Sequence, residues 1–263
     1  MVNPWLMFAG IGMILVGFVP AIWWFNKKKV SARYFFLGAL VWFIAITPKI
    51  IMDVTVTPPL NSYLTNFGTM FFAVTLGLYV GLRTGLFESG FIYLVGLKTK
   101  LKHVAFDEAV AFGLGFGGVE AVLLGFQSFL TILSFTVMPD LISQIPETQR
   151  GVIVQQLSQS TWVIFAPILE RGMTLLIHVF ASILVFYAIH TSVKRYLLYS
   201  IGYKTIVDGI IPALSVYVGS STLTSIYLME MPVAGLGLIA AGGILWVRSR
   251  WRNLDAEGND SVE

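Results

Sequence analysis

A chain of 263 residues that is 56% hydrophobic and only 12% charged, with a mean hydropathy of +0.80, cannot hide its apolar surface in one soluble core. It reads as an all-α polytopic membrane protein with the lipid bilayer as its first partner, because runs of about 20 apolar residues recur along nearly the whole length. The lack of cysteine excludes disulfides, thiol nucleophiles and thiolate-bound metals, and the net charge of +3, held in short loops, excludes a nucleic-acid footprint.

The first span, about 4–25, enters an apolar run at once with no basic n-region or cleavage site, which argues for a retained helix rather than a signal peptide. It stops at Lys27, Lys28 and Lys29, and Arg33 follows, so this loop is expected on the cytoplasmic side. The second span, about 34–52, ends at Asp53 before the turn around Pro58 and Pro59. Lys49 can snorkel at this outer end and pair with Asp53 one turn on, a structural role.

The third apolar stretch, about 62–97, is long enough for one overlong helix or for two short ones broken near Gly85. Charge decides between them. A single crossing puts Lys98, Lys100 and Lys102 on the same side as the first basic loop, together with Lys194, Arg195, Arg248, Arg250 and Arg252. The result is seven transmembrane helices, N-terminus out and C-terminus cytoplasmic, with an eighth only as a half-helix near 84–97. Residues 1–252 form one transmembrane domain and 253–263 a polar, acidic tail expected to be disordered.

The fourth span, about 107–135, precedes an external loop, 136–159, that reads as a lid or interfacial segment. The fifth lies within 161–189, the sixth spans about 196–218, and the seventh, about 222–247, carries Glu230 just below the outer surface in a structural role. Two helices share a small-residue stripe: Gly77, Gly81, Gly85 and Ser89 in the third, and Gly113, Gly117, Ala121 and Gly125 in the fourth. Such spacing lets backbones approach, so both helices are expected to pack tightly, with packing on each other one of the arrangements open to them.

The fifth span holds Glu170, Arg171 and His178 in an otherwise lipid-soluble run. At about 100° per residue, Arg171 and His178 lie about 20° apart around the helix and Glu170 about 80° from His178, so one side is polar. An ionisable group in hydrocarbon costs roughly 2.5–3.5 kcal/mol on insertion scales, and these residues must therefore find partners. Counting rise from the basic ends places Glu88 about 13 Å deep, Glu120 about 20 Å, His178 about 18 Å, Lys204 about 12 Å and Asp208 about 18 Å. Glu170 sits higher, Arg171 can connect the two levels, and Lys204 can pair with Asp208 four residues on.

This intramembrane cluster of Glu88, Glu120, Glu170, Arg171, His178, Lys204 and Asp208 is the candidate site, set against a salt-bridge network that only holds helices in register. As a metal centre it is poor in imidazole. His178 alone is deep in a span, while His103 and His190 lie in loops. An aspartyl protease would need a second aspartate facing Asp208, and no serine is marked out as a nucleophile.

The blocks Gly85-Leu86-Phe87-Glu88-Ser89-Gly90, Gly115-Phe116-Gly117-Gly118-Val119-Glu120-Ala121, Glu170-Arg171 with His178, and Lys204 with Asp208-Gly209 resemble, in order and spacing, the YhfC family of intramembrane metalloproteases, which is related to the PrsW and CAAX-processing proteases. The resemblance implies a zinc enzyme in which Glu88 and Glu120 act as ligand or general base and His178 as a metal ligand. Its departures imply a degenerate member. Ser89 stands where the family has a second glutamate, Ile92 where it has an arginine, Phe116 where it has a histidine and Lys204 where it has another. Lys204 can supply the positive charge that a lost cation would leave missing among carboxylates. The expectation is therefore no cofactor, with zinc only if the chain is an active protease. The non-catalytic scaffold subunit of gamma-secretase, of the anterior-pharynx-defective family, is similar to this superfamily and suggests a scaffold that binds another integral membrane protein or transmembrane helix. A small-solute transporter is the remaining alternative, weakened by the lack of an inverted repeat.

Overall fold

The computed structural model describes residues 2–219 and 222–260, which form helices and turns with no strand among them. The long helices are α1 (Met7–Lys28), α2 (Arg33–Thr55), α3 (Thr69–Lys98), α4 (Phe106–Val137), α5 (Phe165–Thr191), α6 (Arg195–Ser215) and α7 (Leu223–Asp260). Six of them, all but α6, are long and apolar enough to cross a membrane, so this is a multi-pass membrane protein. The exception has a physical cause: α6 carries Arg195, Lys204 and Asp208 among its residues and turns Lys204 inward, where it is fully buried.

The connections follow from local chemistry. Lys29 closes α1 in the left-handed conformation at φ 55°, its amide capping Phe25, and Gly68 at φ 84° turns the chain into α3. At the other end Glu108 reaches back to the amide of Ala105 and starts α4. Loop 138–160 is organised as a 3-10 turn, Pro139–Gln144, and a short helix, Glu147–Leu157; the amide of Asn3 donates to the Leu157 carbonyl and ties the N-terminal end to it. The last helix continues to Asp260 through most of the segment expected to be a disordered tail, because a formed helix propagates cheaply through residues such as Leu254, Ala256 and Glu257. Residues 261–263 of that tail lie outside the described residues.

The central helices are α4 and α5. Phe112, Phe116, Ile183, Val185 and Phe186 are fully buried where they meet, and Phe112 packs edge-on against Phe186 with ring centroids 5.0 Å apart. The glycine stripes do seat helices closely, but not on each other. In α3, a Cβ on Gly77, Gly81 or Gly85 would come within 2.5 Å of Gly209, 2.1 Å of Thr205 and 2.4 Å of Ile201 carbonyl oxygens, so this stripe receives α6. In α4, Gly113 and Gly117 lie against Val179 and His178 of α5, and Gly125 against Gly10 of α1. The two stripes look alike in sequence, yet spacing specifies a close approach and not the partner.

α3 is one continuous helix with a π turn over Gly85–Ser89, so no separate half-helix forms at 84–97. The extra residue in that turn rotates the helix face and brings Glu88 and Ser89 side by side into the interior.

Candidate functional site

Every member of the predicted cluster lies in one connected network at the middle and upper levels of the bundle. Glu88, placed by the π turn, is 3% exposed and receives two ammonium groups: Lys49 Nζ at 2.5 Å on Oε1 and Lys204 Nζ at 2.9 Å on Oε2. Lys204 also lies 3.6 Å from Asp208 Oδ2 and 3.5 Å from His178 Nδ1. The ammonium therefore stands between a glutamate, an aspartate and an imidazole carried by three different helices.

The second centre is Glu120. Its Oε1 accepts from Arg171 Nη1 at 2.7 Å, and its Oε2 accepts from Trp42 Nε1 at 2.9 Å while lying 3.1 Å from His178 Nε2. Arg171 also donates to both oxygens of Glu170, its Nε at 3.1 Å, and so joins the deep level to the upper one. The helical geometry of α5 dictates this: Arg171 and His178, seven residues apart, share the face that meets α4. His178 links the two centres, Nε2 towards Glu120 and Nδ1 towards Glu88 at 3.7 Å, with Phe116 packed on its ring at a centroid distance of 5.2 Å.

Lys49 and Asp53 do not pair. Lys49 reaches inward to Glu88, and Asp53 takes Arg83 Nη1 at 2.6 Å, with the same guanidinium group also donating to the Lys49 carbonyl at 3.3 Å. The reason is energetic: a buried carboxylate gains more from a second cation than an exposed one does, and Asp53 is 51% exposed while Glu88 is closed off. Lys49, Arg83 and Trp42 are the site residues that sequence reasoning leaves out. Arg83 carries a usable signal, being a lone charge inside an apolar run as Glu88 is. Trp42 carries none, since an indole on a membrane helix reads as packing or as an interfacial anchor.

A serine pair lies beside the cluster. Ser89 and Ser200 Oγ atoms are 2.8 Å apart, and Ser200 donates to the Ala181 carbonyl, so hydroxyls join α3, α6 and α5 on the basic side of Lys204. Glu230 lies in a small pocket with Leu169, Tyr227 and Met231, within electrostatic reach of Glu170 and Arg171 at the upper end of the network.

Chemically, this arrangement holds charges rather than frees them. Among the described residues no group of three or more His, Asp or Glu side chains is disposed to hold a metal ion. The two nitrogens of His178 face different glutamates, Glu120 spends both oxygens on Trp42 and Arg171, and the gap between Glu88, His178 and Asp208 is filled by the Lys204 ammonium. Within the predicted cluster the two most accessible carboxylates are Asp208, whose side chain is 33% exposed, and Glu170, at 27%.

Comparison with known proteins gives a consistent result. A model of the YhfC intramembrane metalloprotease family matches residues 12–233. Among curated proteins, the uncharacterized membrane protein YhfC of Bacillus subtilis (strain 168) is 27% identical over 188 residues, which cover 68% of this chain and 72% of that protein. No solved structure matches the chain.

Proposed function

The chain belongs to the YhfC intramembrane metalloprotease family, and from that premise we propose that it is a non-catalytic member whose polar layer, neutralised by Lys204, receives a segment of another membrane protein. The observation that carries this reading is the position of Lys204 Nζ, within 2.9 Å of Glu88, 3.5 Å of His178 and 3.6 Å of Asp208.

Family membership implies a zinc ion, and the residues present do not fit one. A hydrolytic zinc takes three protein donors at about 2.0–2.2 Å around one point, with a position left for water. Here the donors surround an ammonium group, which would repel a divalent ion in the same space. Phe116, where the family has a histidine, offers His178 a ring and no lone pair.

The same reading carries seven crossings. α6 counts as one of them because its Lys204 turns inward to Glu88 of α3 rather than to lipid, and the basic residues at 27–33, 98–102, 194–195 and 248–252 then lie on the cytoplasmic side. Residues 1–252 are one transmembrane domain and 253–263 its polar extension.

Partner binding rests on the two accessible carboxylates. A carboxylate exposed at bilayer depth is costly unless a donor or trapped water covers it, and Asp208 offers such a surface in the middle of α6. A photo-cross-linking side chain at Ile211, one turn from Asp208, is expected to capture a protein of defined mass in native membranes, with capture reduced by Asp208→Asn and absent from Ile206, which is 57% exposed on the same helix. Equal capture at both positions, or capture of lipid alone, would count against it. The competing reading, an active metalloprotease, draws on Glu88, Glu120 and His178 sharing one layer; metal content decides between the two.

A further inference from the structure

At the basic end of the bundle, away from the polar layer, α1, the start of α4 and the end of α7 enclose a cavity of about 230 Å³ lined by Lys28, Phe106, Asp107, Arg248, Trp251 and Arg252. We infer that this cavity is a site for the phosphate of an anionic phospholipid headgroup from the leaflet at that end.

Charge is the first argument. Lys28 and Asp107 neutralise each other at 3.0 Å, and the Trp24 indole donates to the Asp107 backbone carbonyl at 3.0 Å, which fixes the start of α4 beside that ion pair. Arg248 and Arg252 have no carboxylate partner among the described residues. They are four apart on α7, on one helix face, where two like charges repel. An arrangement that holds two guanidinium groups together beside a neutral ion pair lacks an anion, and a phosphate accepts from two guanidinium groups at once.

Rigidity is the second argument. Trp251 is 1% exposed and locked by Phe106 at a centroid distance of 5.8 Å and by His190 at 5.1 Å, so the turn of α7 that bears both arginines is fixed before any ligand arrives. Depth is the third. Trp23, Trp24, Trp246 and Trp251 mark the level where tryptophans gather at the membrane surface, and Trp23 and Trp246 are exposed to the lipid side. A cationic pocket between helix ends at this level meets headgroups before it meets anything dissolved.

The test uses the full chain in nanodiscs of phosphatidylcholine with or without phosphatidylglycerol. Phosphatidylglycerol is expected to raise the thermal midpoint and to remain bound in native mass spectrometry. Arg248→Gln with Arg252→Gln is expected to weaken that retention about twenty-five-fold, taking roughly a factor of five per cation at the surface. Lys98→Gln with Lys100→Gln, which removes the same charge from the same face, is expected to leave it unchanged. Equal loss in both double variants, or no preference for the anionic lipid, would overturn the site. The same stabilisation from inorganic phosphate in phosphatidylcholine alone would overturn the lipid as its source.

Discussion

Lys204→Met is expected to lower the stability of the folded protein by about 3–5 kcal/mol, the cost of breaking a buried ion pair by removing one partner. Methionine keeps the volume and loses the charge. Among the described residues Asp208 then has no cation and Glu88 keeps only Lys49, and Nδ1 of His178 faces the Glu88 carboxylate at 3.7 Å with no ammonium between them. Unfolding in mixed micelles measures the effect. In an Asp208→Asn background the same substitution is expected to cost less, because one of the carboxylates that needed the ammonium is already neutral. A loss below about 1 kcal/mol, the range of exposed ion pairs, would mean that water rather than Lys204 satisfies the layer.

Gly81→Ala is expected to be the most damaging single-methyl change at the contact of α3 with α6. The added carbon would lie 2.1 Å from the Thr205 carbonyl oxygen and 3.1 Å from the Gly209 Cα, and both obstacles are backbone that cannot rotate aside. α6 must therefore withdraw from α3. Overpacking in a core that can adjust costs typically about 1–3 kcal/mol, and here the adjustment also pulls Lys204 away from Glu88. The control is Gly202→Ala on α6, where nothing stands within 4 Å of the new carbon; it is expected to stabilise by roughly 0.5–1 kcal/mol, the ordinary helix gain over glycine. Size-exclusion profiles and micelle unfolding of the two variants should move in opposite directions.

Helices and the polar layer were legible in the sequence for different reasons. Helices announce themselves by apolar length, and the basic loops punctuate them, so the boundaries near Lys28, Lys98 and Arg195 fall where expected. Glu88, Glu120, Glu170, Arg171, His178, Lys204 and Asp208 were visible because a charge inside an apolar run is costly and must be buried with company. Pairing within a helix followed too: Lys204 meets Asp208, and Arg171 meets Glu170.

Partners between helices were not legible. The stripes of α3 and α4 have the same period, yet one seats α6 and the other seats α1 and α5, since a groove of small residues accepts any helix that topology brings to it. Lys49 looked like an interfacial residue because the sequence shows its depth and hides the direction of its long side chain, which reaches down to Glu88. The π turn at Gly85–Ser89 was hidden as well: glycine and serine there suggested a break, whereas one extra residue in a continuous helix sets Glu88 facing the layer.

Fold and function meet at this layer. α4 and α5 supply a rigid interior, the π turn of α3 aims Glu88 inward, and the close seat of α6 on α3 brings Lys204 within 2.9 Å of it. In this network each of the four acids, Glu88, Glu120, Glu170 and Asp208, lies beside a cation.

Metal content of the detergent-purified wild-type protein, measured by elemental analysis beside His178→Ala, tests this most directly. A lysine-neutralised layer predicts no stoichiometric zinc in either protein, with both remaining folded. Near-stoichiometric zinc in the wild type that disappears with His178→Ala would contradict it, and would restore Glu88, Glu120 and His178 to the centre of a working protease.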